Sequence, residues 1–81
     1  MEKLRRGTQV KFNAISIIGE EIPMIGKIVG FASEIKKMWP EEFSGMSENE
    51  EIYLILMRSD SQKSHYVATP NEIIEVLKKA N

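Results

Sequence analysis

Residues 51–69 read Glu51-Ile52-Tyr53-Leu54-Ile55-Leu56-Met57-Arg58-Ser59-Asp60-Ser61-Gln62-Lys63-Ser64-His65-Tyr66-Val67-Ala68-Thr69, and the fold class turns on them. The run from Ile52 to Met57 is almost wholly apolar and rich in strand formers, as expected of a central strand covered on both faces. The polar stretch 58–64 then reads as a hairpin loop, and His65-Tyr66-Val67-Ala68-Thr69 as the returning strand.

Working towards the N-terminus, Ile22-Pro23-Met24-Ile25-Gly26-Lys27-Ile28-Val29-Gly30-Phe31-Ala32 suits a strongly bent strand. Pro23 lacks an N–H and belongs at its start or edge, and Gly26 and Gly30 permit close backbone approach. Before it, Val10, Phe12 and Ala14 alternate with polar neighbours, the period of a half-buried strand. The apolar phase shifts at Ile15 and Ile17, which suggests a bulge or sharp bend within that strand. Gly19-Glu20-Glu21 reads as a turn.

Two segments are less regular. Residues 33–49 carry no clear strand and form a long loop, the first place to look for function. Within it, Pro40-Glu41-Glu42-Phe43 suits a single helical turn stopped by Gly45. At the C-terminus, Thr69-Pro70-Asn71-Glu72 has the form of a capping box. The preferred reading is a short helical turn near 70–73 followed by a closing strand through Ile74-Glu75-Val76. The alternative is a C-terminal α-helix packed on the sheet, with Ile73, Ile74, Leu77 and Ala80 on one face.

The layout as a whole is Gly7-x-x-Val10-x-Phe12, Gly26-x-Ile28-x-Gly30, a strand at 52–57, then Tyr66-Val67 and Pro70-x-Glu72-Ile73-Ile74-x-Val76-Leu77. It resembles the SH3-like small β-barrels, the group that includes KOW and Tudor modules. The resemblance implies a mainly β, single domain over 1–81, with about five bent antiparallel strands around an interior holding Ile28, Leu54, Val67 and Val76. It lies at the level of a superfold and transfers no binding residue.

Composition narrows the function. The 81 residues, 42% hydrophobic and 28% charged, suit one globular domain. The absence of cysteine excludes disulfides, thiolate nucleophiles and Cys-based metal sites, and favours a reducing compartment. The first seven residues lack the apolar run of a signal peptide, and 52–57 is far short of the ~20 residues that span a bilayer. A cytoplasmic location without membrane contact is therefore expected. Residues 1–40 hold seven cationic and four anionic side chains, and 41–81 hold four and eight. The chain has no overall basic excess of the kind dedicated nucleic-acid binders show.

Candidate chemistry is sparse. His65 lies near Ser59, Asp60, Ser61 and Ser64, but these residues fit a hairpin better than a converging triad. Glu41-Glu42 and Glu48-x-Glu50-Glu51 lack the spacing of a calcium loop and read as solvated acidic surface. Phosphate-cradling glycine motifs are missing, and Arg5-Arg6-Gly7-Thr8 reads as a solvated terminus. No catalytic residue, metal or cofactor is expected.

What remains is a non-enzymatic binding module. Its candidate residues are Lys36, Lys37, Trp39, Phe43, Tyr53 and Tyr66, with Phe31 extending an aromatic groove. Trp39 and Phe43 equally suit a plug at one end of the barrel. The expected partner is a protein or peptide. The alternative is nucleic acid held by Lys36 and Lys37 with Trp39 stacking on a base, and sheet edges leave homo-oligomerisation open.

Overall fold

The computed structural model describes residues 3–59 and 62–79. Among them five strands form one antiparallel sheet: β1 (Gln9–Ile15), β2 (Glu21–Gly30), β3 (Tyr53–Ser59), β4 (Gln62–Ala68) and β5 (Ile73–Lys78). Their order across the sheet is β4-β3-β2-β1-β5. A seven-residue helix, α1 (Ala32–Met38), follows β2, and a 3₁₀ turn over Pro70–Glu72 links β4 to β5. The C-terminal segment is thus a helical turn and then a strand. Glu72 accepts hydrogen bonds from the Thr69 N–H at 2.9 Å and the Thr69 hydroxyl at 3.1 Å. The cap stops the turn after one cycle and releases Ile73 into the ladder with β1.

The sheet has two apolar faces. On the inner face Val10, Phe12, Ile28, Tyr53, Ile55 and Ala68 are fully buried, and Leu4, Met57, Tyr66 and Ile73 pack around them. On the outer face Ile52 and Leu54 are buried beneath Ala32 and Ile35 of α1, and Val29 and Val67 line the same layer. The unbroken apolar run 52–57 follows from this arrangement, since alternate side chains of β3 enter different layers.

Several sequence expectations change. Residues 58–64 are not all loop, since β3 runs to Ser59 and β4 begins at Gln62, and the turn expected at Gly19-Glu20-Glu21 comes earlier, over 17–19, with Glu21 already in β2. Residues 33–49 are not a loop throughout, because 33–38 belong to α1; beyond them, turns bond Phe43 N–H to the Trp39 carbonyl and Met46 N–H to the Phe43 carbonyl. The phase shift at Ile15 and Ile17 is not a bulge. β1 ends at Ile15, and Ile17 and Ile18 sit in the turn that follows. Finally, Ile28, Leu54, Val67 and Val76 do not share one interior: Ile28 lies in the inner layer, Leu54 and Val67 in the outer, and Val76 is 37% exposed. The tip of the β3–β4 hairpin, Asp60 and Ser61, lies outside the described residues.

The sheet bends where glycine allows it. A Cβ at Gly26 would overlap the Ile55 side chain and press on the Leu56 carbonyl at 3.0 Å. β5 carries two register shifts against β1, and each adds twist to the edge. Pairing of β2 with β3 begins only at Lys27, opposite Leu56, so residues 21–25 pair with β1 alone. Ile28 N–H donates to the Thr8 carbonyl on the β1 side. N–H directions alternate along a strand, so the Pro23 nitrogen faces the free edge, where its missing hydrogen leaves no ladder bond unmade. Between β1 and β2 the chain forms a two-stranded ribbon that extends past the rest of the sheet.

Candidate functional site

The residues singled out from the sequence are divided between the two faces. Ala32 and Ile35 of α1 and Trp39, the residue that caps its C-terminus, follow the i, i+3, i+7 spacing of one helical face, and they meet the outer side of the sheet. Trp39 is half-buried there and contacts Phe43 with ring centroids 6.1 Å apart. Lys37 projects into solvent and Lys36 is half-buried. The tryptophan thus faces the protein, while the exposed lysine faces away from it.

Tyr53 and Tyr66 belong to the inner layer. The Tyr53 ring is fully buried; its hydroxyl accepts from Leu4 N–H at 3.2 Å and donates to Glu51 at 2.9 Å. Burial pushes this phenol above its ordinary pKa of 10, and the neighbouring Glu51 carboxylate adds to the effect. Tyr66 stacks obliquely on Phe12 at 5.2 Å, and its hydroxyl accepts from Ile15 N–H at 3.2 Å. It braces β4 against the end of β1. Trp39 and Phe43 are separated from both tyrosines by the sheet itself, so the four do not make one groove.

Phe31 has a further role. It precedes α1, and its N–H donates to Glu34 at 3.1 Å. The Ser33 hydroxyl also donates to Glu34 at 2.7 Å, and Arg6 pairs with the same carboxylate. The Ser33 bond, then the Phe31 N–H, and last the Arg6 charge hold the Glu34 carboxyl down at about 2. The Lys3 ammonium lies 4.9 Å from the Phe31 ring centre. Gly7 N–H donates to the Ile28 carbonyl at 2.7 Å. The basic N-terminal segment therefore straps α1 to the sheet, a structural duty that its charge pattern did not disclose.

His65 is exposed on the outer side of β4, opposite Leu56. Among the described residues no three His, Asp or Glu side chains stand close enough to hold a metal ion, and no helix is long and apolar enough to cross a membrane. A shallow depression of about 430 Å³ lies on the outer face, lined by Gln9, Ile25, Gly26, Lys27 and Leu56.

Among the described residues, the β1–β2 ribbon carries an unusual surface. In the β1–β2 turn, Gly19 N–H donates to the Ser16 carbonyl at 2.9 Å, and Ser16 N–H donates to the Glu20 carbonyl at 2.9 Å. Gly19 takes φ 84°. This is the three-residue hairpin loop that needs a left-handed third residue. Its first two positions usually go to polar or turn-forming residues. Here they are Ile17, 105% exposed, and Ile18, 78% exposed. Ile15, Ile22, Met24 and Ile25 add exposed apolar surface along the ribbon. The signal was present in the sequence as two isoleucines directly before a turn glycine, where neither packing nor backbone geometry requires them.

No family model matches this chain, and no curated protein or solved structure matches it either.

Proposed function

We propose that this chain is an SH3-like barrel acting as a non-enzymatic protein-interaction module, with the β1–β2 ribbon as its docking element. The barrel reading is supported by β1 standing between β2 and β5 and by the 3₁₀ turn between the last two strands. Tyr66 bridges from β4 to β1 on the side the sheet leaves open. The functional reading is carried by one observation: six large apolar side chains, Ile15, Ile17, Ile18, Ile22, Met24 and Ile25, are uncovered on a single hairpin. Strand parity puts Ile15 and Ile25 on the outer side of the ribbon and Ile22 and Met24 on the inner, with Ile17 and Ile18 in the turn, and exposed apolar surface of this extent marks an interaction site.

Photocrosslinking tests the reading. A photoreactive residue at position 17 is expected to capture protein in cells, whereas one at Lys37, on the solvent side of α1, captures far less. Absence of any protein adduct from position 17 sinks the proposal.

One feature favours a second reading, nucleic-acid binding. Lys78 and Lys27 flank Gln9 in register on the solvent side of β5, β1 and β2. The sequence alternative built on Lys36, Lys37 and Trp39 has less support, since the Trp39 ring packs against Phe43. Fluorescence anisotropy at low salt separates the two sets. Lys27→Glu with Lys78→Glu abolishes binding if the sheet face carries it, and flat titrations of the unaltered protein end the idea.

A further inference from the structure

We infer that the partner of the β1–β2 ribbon is a second copy of this chain, with each ribbon lying along the β5 edge of the other. The inference rests on the docking role proposed above and names its occupant. Three observations carry it.

The first is that the chain has a second uncovered apolar surface of matching character. β5 ends the sheet, and Ile74, Val76 and Leu77 on it are 50%, 37% and 40% exposed. The turn and one face of the ribbon leave on the order of 500 Å² uncovered, within the range of the largest patch found on ordinary monomers. With roughly 200 Å² from β5, the total approaches the ~800 Å² that each partner contributes to a standard interface. Reciprocal contact buries both surfaces, and self-complementarity is what a two-fold interface requires.

The second is charge. The ribbon tip ends in Glu20 and Glu21, both exposed, and β5 ends in Lys78 and Lys79, both exposed. Within one molecule these groups are far apart along the strands. Gln9 pairs with Lys78 at one end of β1, and the tip lies beyond Ile15 at the other. A two-fold axis perpendicular to the strands inverts the second molecule, so its ribbon runs down β5 with the acidic tip arriving at the lysines.

The third is length. β5 has six residues, which at ~3.3 Å each is about 20 Å. The ribbon from Phe12 to its tip at Gly19 covers a similar span. The contact needs side chains rather than new ladder bonds. Pro23 lacks an N–H on the ribbon's free edge, and two register shifts twist the β5 edge, features that block open-ended strand addition while leaving the apolar surface available.

Sedimentation equilibrium on the purified full chain tests the inference, with circular dichroism showing that each variant keeps its sheet. The unaltered protein is expected to be a dimer at tens to hundreds of micromolar. Ile17→Ser with Ile18→Ser should make it monomeric. Glu20→Lys with Glu21→Lys, and separately Lys78→Glu with Lys79→Glu, should each weaken self-association by at least tenfold, since like charges then meet. Mixing those two variants should restore a one-to-one dimer, because the lysine tip of one meets the glutamate edge of the other. A dimer that survives the Ile17 and Ile18 changes, or a mixture that stays monomeric, overturns the reciprocal geometry. A monomer whose position-17 photocrosslinker still captures a different protein overturns the second-copy inference and leaves the docking role standing. A monomer with no adduct at all sinks both.

Discussion

The segment after β2 and the ribbon before it carry similar apolar side chains and meet opposite fates. Trp39, Phe43 and Met46 fold back over Leu54 and Val67, so that layer closes upon itself. Ile15, Ile17, Ile18 and Ile22 have no layer above them. The difference does not lie in hydrophobicity. The turns after α1 hold their aromatics over the centre of the sheet, whereas the ribbon runs past its margin, where β2 has lost β3 as a neighbour. An apolar residue becomes core only if the topology delivers a second surface to it. Where none arrives, the same chemistry becomes a docking surface.

Stability measurements should separate the two regions. The largest effect is expected in the covered layer, where Leu54→Ala removes a side chain of β3 that is 3% exposed beneath α1. It should lower unfolding free energy by about 3 kcal/mol, read from urea denaturation. A value near zero would mean that α1 does not pack there. Trp39→Ala, from a half-buried position in the same layer, should lower stability by about 2 kcal/mol. Unchanged stability together with lost partner binding would move Trp39 from core to interface and blur the distinction between the regions.

The strap that holds α1 supplies a pH-dependent contrast. The Glu34 carboxyl is depressed from 4.5 to about 2 in the folded chain, so its stabilisation is fully present above the unfolded value. It is lost as pH falls from about 4.5 through about 2. Acid unfolding of the unaltered protein should be visibly steeper in that window than that of Glu34→Gln. Superimposable curves would show that Glu34 does not secure the helix. At neutral pH Glu34→Ala should be less stable by about 1 kcal/mol.

The smallest effect on stability is expected in the ribbon. Ile17→Ser with Ile18→Ser should change unfolding free energy by no more than about 0.5 kcal/mol when measured on the monomer, because these side chains touch little within it. A loss of several kcal/mol would mean that the turn residues pack inside their own chain, and the comparison would collapse.

Much of the fold was legible because it depends on local rules. The alternation Val10, Phe12, Ala14 places β1, the two-sided run 52–57 places β3, and the capping box at Thr69 and Glu72 ends the 3₁₀ turn before β5. The close approach expected at Gly26 occurs against Ile55. The proposed binding residues were less legible. Lys36, Lys37 and Trp39 are adjacent in sequence, yet adjacency on a helix turns neighbours to different sides. Tyr53 and Tyr66 are candidates for an aromatic groove from residue type alone, but their parity on β3 and β4 carries them to the inner face, as pairing Ile55 with Tyr66 makes plain. Helix α1 is illegible in the sequence because seven residues offer only two turns of periodicity.

The amino-acid order alone therefore determined a small, mainly β chain, the 3₁₀ turn before its last strand and the residue types that line its strands, since these follow from backbone sterics and a period of two. Tertiary structure alone decided which apolar residues are covered: that β3 serves two layers, that Trp39 lies against one of them, and that the isoleucines of the β1–β2 ribbon meet none. Burial belongs to pairs of surfaces distant in sequence, and no local pattern states which surface will arrive.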